Sequence, residues 1–191
     1  MDISLFSDLI DALGKVIGGL KTLSGLPKGE RDKYRQVLDD TNQLVIATLT
    51  MIILRLGDVL RIDKDDDFLT AVYGLDNSKE WLEAERAFRL CKSLRVAVNE
   101  AGNLGTRLAG KIAVGDWNAL LGQMEQILQG EERLAEYITA HFDKLATKAR
   151  AAKPGTQGAT DVRTAVEQMI GALKQEREQL LRQEVELLNI V

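Results

Sequence analysis

The stretch LVIATLTMIIL, Leu44–Leu54, decides the fold class of this chain of 191 residues. It contains no charged residue, and Arg55 and Asp58 follow it closely. A membrane-spanning helix needs about 20 predominantly apolar residues, so this stretch of eleven is too short to span a bilayer. A helix that is apolar on nearly all sides over such a length is typical of the most buried element of a bundle. We therefore expect it to be the central helix of a soluble protein.

The sequence before this stretch has the spacing of a helix that is apolar on one side. Its apolar residues recur at steps of three and four, and they are Ile3, Phe6, Leu9, Ile10, Leu13, Val16, Ile17, Leu20 and Leu23. The segment Gly25–Pro27 is expected to end this first helix, and a second helix is expected from about Lys28 to Arg61. Proline breaks helix interiors at a cost of about 3 kcal/mol. The 126 proline-free residues between Pro27 and Pro154 therefore permit further long helices.

The pattern on the C-terminal side of the central stretch predicts two more bundle helices. The acidic segment Asp63–Asp67 is expected to be a solvated connector, followed by a short apolar piece, Phe68–Tyr73. A third helix is expected from Asn77 to about Gly110 and a fourth from Asp116 to about Arg150, since Asn and Asp are preferred at helix N-termini.

The last part of the chain is expected to hold a linker and a fifth helix. The stretch AAKPGTQGAT, Ala151–Thr160, has the Pro and Gly content of a linker. Residues 161–191 are expected to form a C-terminal amphipathic helix, which either packs on the bundle or projects from it. The predicted fold is therefore all-α, an up-and-down bundle of about five long helices. Four of them are expected around one core in residues 1–150, where residues 2–25 form the N-terminal amphipathic helix, and the fifth is the C-terminal helix.

The composition excludes several kinds of site. One Cys excludes an internal disulfide framework and a thiolate zinc cluster. One His, His141, excludes a di-metal centre built from two Glu-x-x-His pairs. The formal net charge of −4 argues against a general nucleic-acid binder. We expect Cys91 to be a small core residue, and we expect no catalytic residue, no cofactor and no metal.

Two near matches to known binding motifs fail at the positions that carry the chemistry. The aspartates of Asp63–Asp67 match the first three ligand positions of a calcium-binding helix-loop-helix. Phe68 and Gly74, however, stand where that motif needs its glycine and its bidentate glutamate. The segment Gly105–Ile112 has the glycine and lysine spacing of a phosphate-binding loop, but it ends on Ile where Ser or Thr would hold magnesium.

The expected third helix carries a basic stripe. Its members recur every three residues, and they are Arg86, Arg89, Lys92 and Arg95. Successive members lie about 60° apart around the helix axis, so the stripe spirals. Three interpretations stay open: ion pairs with the acidic connector, contacts with an anionic partner, and a contribution to solubility alone.

The two terminal helices carry apolar faces that fit contact with another helix. In the first helix the apolar residues occupy an arc of about 160°. In the last helix, apolar residues spaced by seven form the pattern of a coiled-coil seam, and they are Val166, Leu173, Leu180 and Leu187. The companion heptad positions are only half apolar, and they are Met169, Glu176, Gln183 and Ile190. The candidate interaction face comprises Leu5, Phe6, Leu9, Ile10, Leu13, Ile17, Leu180, Leu187 and Leu188.

The order of these elements, an apolar amphipathic first helix ahead of a bundle of long helices, resembles the helical cell-death domains of the fungal HeLo and mixed-lineage-kinase-like type. The resemblance covers the first 150 residues, is one of arrangement rather than of motif, and carries over no functional residue. It implies a helical region that perturbs membranes after activation.

The sequence therefore predicts a cytoplasmic, non-enzymatic interaction or regulatory protein that acts through helix–helix contacts and self-associates. The alternative is a membrane-perturbing effector at the membrane periphery, whose N-terminal helix, residues 2–25, inserts into bilayers. Three Asp and two Lys in that helix weigh against the alternative, because interfacial helices usually have a basic polar face. The expected partner is a protein or a second copy of the chain, and nucleic-acid binding is not expected.

Overall fold

A computed structural model describes residues 4–22, 28–77, 118–119, 122 and 142–189, and the structural statements below concern these residues. The long helices are α1 (Ser4–Thr22), α2 (Lys28–Leu60) and α5 (Gln157–Leu188). Shorter ones are α3 (Asp65–Tyr73), a 3-10 turn (Gly74–Asn77) and α4 (residues 142–151). The described part of the chain contains no strand, which confirms the all-α prediction. The expected helices over residues 77–110 and 116–141, and with them the up-and-down order, fall largely outside the described residues.

The central helix α2 has the bounds that the sequence predicts to within one residue. It begins at Lys28 and ends at Leu60. At its C-terminal end the backbone N–H of Arg61 is shared between the carbonyls of Gly57 and Asp58, each at 3.3 Å. Such bifurcated bonds satisfy the last carbonyls of a helix where the regular ladder runs out.

The chain divides into two compact units, and both α2 and α5 contribute to each of them. Unit 1 contains α1, α2 as far as Ala47, and α5 from Glu176 onward. Unit 2 contains α2 from Thr48, α3, α4, and α5 as far as Gln175. The domain boundary expected at the linker therefore does not coincide with the boundary between the units, because α5 belongs to both.

The apolar side of α1 is buried in unit 1. The residues most fully removed from solvent there are Leu9, Ile10, Leu13, Val16, Ile17, Tyr34, Leu38, Leu180 and Leu187, each no more than 2% exposed. They come from α1, α2 and α5. Of the two arrangements left open for the C-terminal helix, the structure therefore shows the packed one in this unit.

Unit 2 has a core of its own. It is formed by Leu49, Ile52, Leu56, Phe68, Val72, Phe142, Leu145, Val162, Val166 and Leu173, each no more than 2% exposed. The sequence predicts a connector over the acidic segment, but in the structure Asp65–Asp67 forms the first turn of α3. Carboxylates favour that position since the positive end of the helix dipole lies at the N-terminus. Burial of Phe68, Leu69 and Val72 fixes the short helix against the core.

The linker is shorter than the sequence predicts. Residues 152–156 are non-helical, and α5 begins at Gln157, four residues before the expected start. Gly155 has φ 70°, a left-handed conformation that glycine adopts at no steric cost. Its backbone N–H donates to Oδ2 of Asp65 at 2.9 Å, which ties the turn to the start of α3.

Candidate helix-interaction surfaces

The candidate interaction face is mostly part of the core of unit 1. Leu9, Ile10, Leu13 and Ile17 on α1 are at most 1% exposed, and so are Leu180 and Leu187 on α5. Leu188 is 65% exposed. The side chains of Leu5 and Phe6 lie outside the described residues. In this conformation the apolar side of α1 therefore contacts its own chain. Of the seven positions of this face whose side chains are described, only Leu188 faces solvent.

The contact between α1 and α5 contains a buried carboxamide. Gln183 of α5 is 7% exposed, and its Nε2 donates to the backbone oxygen of Ile10 at 2.9 Å. Gly14 lies one turn further along α1, where a Cβ would stand 2.9 Å from the same Nε2. Real Cβ atoms essentially never approach another heavy atom so closely. The absence of a side chain at Gly14 therefore makes room for this hydrogen bond. Nearer the surface, Gln179 Nε2 donates to Asp11 Oδ1 at 3.4 Å.

The contact between α2 and α5 in unit 1 is polar in the same way. Buried Asn42 donates from Nδ2 to the backbone oxygen of Leu180 at 2.9 Å, and Gln43 donates from Nε2 to Oε1 of Glu184. The side-chain oxygens of the two buried amides, Asn42 Oδ1 and Gln183 Oε1, have no hydrogen-bond partner. A buried acceptor without a donor costs about 1–3 kcal/mol. Unit 1 thus gives up stability at its helix contacts, and buried polar groups of this kind can fix the register of packed helices.

The surroundings of Glu176 on α5 change its ionisation. Burial raises the pKa of its carboxyl group from the ordinary 4.5 to about 7. Its Oε2 is buried and has no hydrogen-bond partner. Desolvation without a compensating donor disfavours the charged form, which is the direction seen.

A second apolar stripe on α5 faces solvent. It consists of Leu181, Val185 and Leu188, which are 43%, 58% and 65% exposed. At 100° per residue the three lie within an arc of about 60°, roughly 120° around the helix from the buried side at Leu180 and Leu187. We call these three residues the α5 stripe. An exposed apolar row on a helix whose opposite side is already packed is typical of a contact surface.

In unit 2 the side chain of Arg163 on α5 makes several contacts at once. Its guanidinium donates to the backbone oxygens of Leu60, Ile62 and Asp63 at 3.4, 2.7 and 3.2 Å. The same group lies 3.5 Å from Oδ1 of Asp65 and 4.1 Å from the ring centre of Phe68. It therefore caps the C-terminal end of α2 and joins that end to α3. The planar, five-donor geometry of arginine suits this task.

The described residues contain no group of three or more His, Cys, Asp or Glu side chains that could hold a metal ion. They include one helix, Arg31–Leu60, long and apolar enough by length and composition to cross a membrane. The core helix of a soluble protein passes the same test.

Sequence reasoning missed the α5 stripe and the buried amides. Leu181 and Val185 lie off the heptad seam, and the signal for them was the i, i+4, i+7 spacing with Leu188. In the sequence, Gln183 and Glu176 are recognisable only as polar interruptions of the seam. Their contacts depend on the approach of α1 and α2, which no local pattern contains.

Several expected features lie outside the described residues. They are His141, Cys91, the Gly105–Ile112 segment, Ile190 and the basic stripe of Arg86, Arg89, Lys92 and Arg95. The three interpretations of that stripe stay predictions.

We found no match to this chain among models of known protein families, curated proteins or solved structures. The functional proposals below therefore rest on the residues of the chain itself.

Proposed function

We propose that this chain is a non-enzymatic interaction protein that acts through helix–helix contacts, and that the α5 stripe is its contact surface. The supporting observation is the exposure of Leu181, Val185 and Leu188 along one line of a helix whose other side is packed. The edges of the line are polar, as is common for the rim of a protein interface. Contacts made this way need no catalytic group, and cytoplasmic localisation is part of the same proposal.

The stripe is short, so we expect association to be weak and dependent on concentration, since stable interfaces bury more than about 1,000 Å². Sedimentation velocity over a wide range of protein concentration tests this. The sedimentation coefficient of the wild-type chain is expected to rise with concentration, and that of Val185→Glu to stay at the monomer value. Gln168→Glu, an exposed position on the same helix outside the stripe, introduces the same charge and should behave as wild type.

Two results count against the proposal. One is a wild-type chain that stays monomeric over the whole range, and the other is a Val185→Glu variant that associates as strongly as the wild-type chain. Circular dichroism of Val185→Glu should be unchanged, because the replaced side chain is 58% exposed.

A second candidate function is membrane perturbation by a released α1. The amphipathic side of this helix is what such a function would use, and it is buried against its own chain, so a stored form would have this arrangement. The buried Gln183–Ile10 hydrogen bond is the contact that release has to break. Dye leakage from anionic and neutral vesicles tests it, comparing the wild-type chain with Gly14→Ala, which disturbs that contact. Leakage from neither protein at micromolar concentration counts against membrane action.

A further inference from the structure

The two units differ in how well their buried polar side chains are satisfied. Among the described residues, every buried side-chain nitrogen or oxygen atom without a hydrogen-bond partner lies in unit 1. Three of these atoms are acceptors, and they are Asn42 Oδ1, Glu176 Oε2 and Gln183 Oε1. An acceptor that loses water and gains no donor lowers the stability of the folded form. Unit 1 therefore carries this penalty at three places on α2 and α5.

The described contacts of unit 2 are better matched. The guanidinium of Arg163 donates to three backbone oxygens and lies 4.1 Å from the ring centre of Phe68. The guanidinium of Arg150 lies 4.4 Å from the ring centre of Tyr73, so α4 is joined to the end of α3. In the part of unit 2 that the structure describes, no buried side-chain polar atom lacks a hydrogen-bond partner. The penalty found in unit 1 is therefore absent from these helices.

The helix α1 depends on its packing in unit 1. Its 19 residues include Gly14, Gly18 and Gly19, and glycine is, after proline, the weakest helix former. An amphipathic helix in a protein owes most of its stability to the packing of its apolar face. In α1 that face is buried, and the hydrogen bond from Gln183 Nε2 to the oxygen of Ile10 joins it to α5. Loss of this packing therefore removes what keeps α1 helical.

We propose that unit 1 opens on its own, with α1 and residues 176–188 of α5 leaving its core together while unit 2 stays folded. Local openings occur in contiguous cooperative segments, and the least stabilised segments open most often. The two segments leave together because the Gln183 side chain of one is bonded to the backbone of the other. Opening uncovers the apolar sides of both segments, including Leu9 and Leu187. This inference goes beyond the proposed function, because it needs neither the α5 stripe nor a partner.

The experiment is native-state hydrogen exchange of the full-length chain at a concentration at which it is a monomer. Mass spectrometry of peptides from α1, α3 and the two parts of α5 gives an opening constant for each segment. In the wild-type chain, α1 and residues 176–188 are expected to share one opening constant. It should be at least about tenfold larger than that of α3 and residues 157–175.

Three variants test the cause. Gln183→Met keeps the length of the side chain and removes the buried oxygen, so it should lower the opening constant of α1 and residues 176–188 roughly fivefold and leave α3 unchanged. Gln168→Met makes the same replacement at an exposed position of α5 in unit 2 and should change neither. Arg163→Lys should raise the opening constant of α3 and residues 157–175 and leave that of α1 unchanged.

Several results overturn the inference. One is a single opening constant shared by all four segments of the wild-type chain, and another is a larger opening constant for α3 than for α1. Opening of α1 alone, with residues 176–188 exchanging as slowly as residues 157–175, shows that the two segments do not leave together. An unchanged or larger opening constant of α1 in Gln183→Met contradicts the cause, and so does an Arg163→Lys chain in which all segments open more by the same factor.

Discussion

The tight approach of α1 to α5 leads to a prediction about two glycines on the same helix. Replacing Gly14 by Ala adds a Cβ 2.9 Å from Nε2 of Gln183, so the carboxamide has to move. Replacing Gly18, one turn later, adds a Cβ with nothing within 4 Å. Both substitutions gain about 1 kcal/mol of helix propensity. Only the first also disturbs a buried hydrogen bond.

The size of the effect follows from that bond. Moving the amide away from the Ile10 oxygen leaves a buried donor unsatisfied, at a cost of about 1–3 kcal/mol. The propensity gain of about 1 kcal/mol offsets part of this loss. We therefore expect Gly14→Ala to lower the free energy of unfolding by up to about 2 kcal/mol, and Gly18→Ala to raise it by about 1 kcal/mol.

Urea unfolding followed by circular dichroism measures both changes in the free energy of unfolding, provided that the slope of this free energy with urea concentration is unchanged. The same pair of variants in a Gln183→Ala background completes the test. There the obstacle to a Cβ is gone, so Gly14→Ala should stabilise as Gly18→Ala does. A Gly14→Ala chain that is as stable as Gly18→Ala in the wild-type background would refute the idea that Gln183 limits the approach of α1 to α5.

Three further predictions concern stability. Leu56→Asp should prevent cooperative thermal unfolding, because it buries a charge at a fully buried position at a cost of several kcal/mol, whereas Leu54→Asp, at a position 61% exposed, should melt like wild type. Arg163→Lys should lower stability by about 1–3 kcal/mol in urea unfolding since a point charge cannot serve three carbonyls and a ring, whereas Arg61→Lys, in an exposed pair, should change it by less than about 0.5 kcal/mol. Glu176 holds its proton in the folded state up to a pH of about 7 and in the unfolded chain only to about 4.5, so this residue should make stability fall as pH rises through that window and level off above it. Glu176→Gln should remove this residue's share of the fall, measured as the urea midpoint at pH 5, 6, 7 and 8.

The parts of the fold set by local pattern were predictable. The ends of α2 follow from helical spacing that continues from Tyr34 to Leu60, with breakers on one side and the acidic segment on the other. No helix is predicted at α3 from the sequence, because three consecutive aspartates are typical of a solvated loop. Their preference for a helix N-terminus, together with Phe68, Leu69 and Val72 at helical spacing, was the signal.

The contacts between helices were not predictable from the pattern. Arg163 reaches carbonyls of residues 60–63, and Gln183 reaches Ile10, over separations of about 100 and 173 residues. A single sequence shows that Gln183 interrupts an apolar seam, but only the position of α1 shows what it binds. The same holds for the pKa of Glu176, which depends on burial by neighbouring elements.

The contribution of α5 to both units affects how the chain can fold during synthesis. Unit 1 needs residues from Glu176 onward, and unit 2 needs the start of α5 to cap the end of α2 through Arg163. The ribosome makes α5 after all the other described helices, so neither unit can close while the first 150 residues emerge. Until then the apolar sides of α1 and α2 have no complete core, and a nascent chain of this kind would depend on chaperones that shield exposed apolar surface.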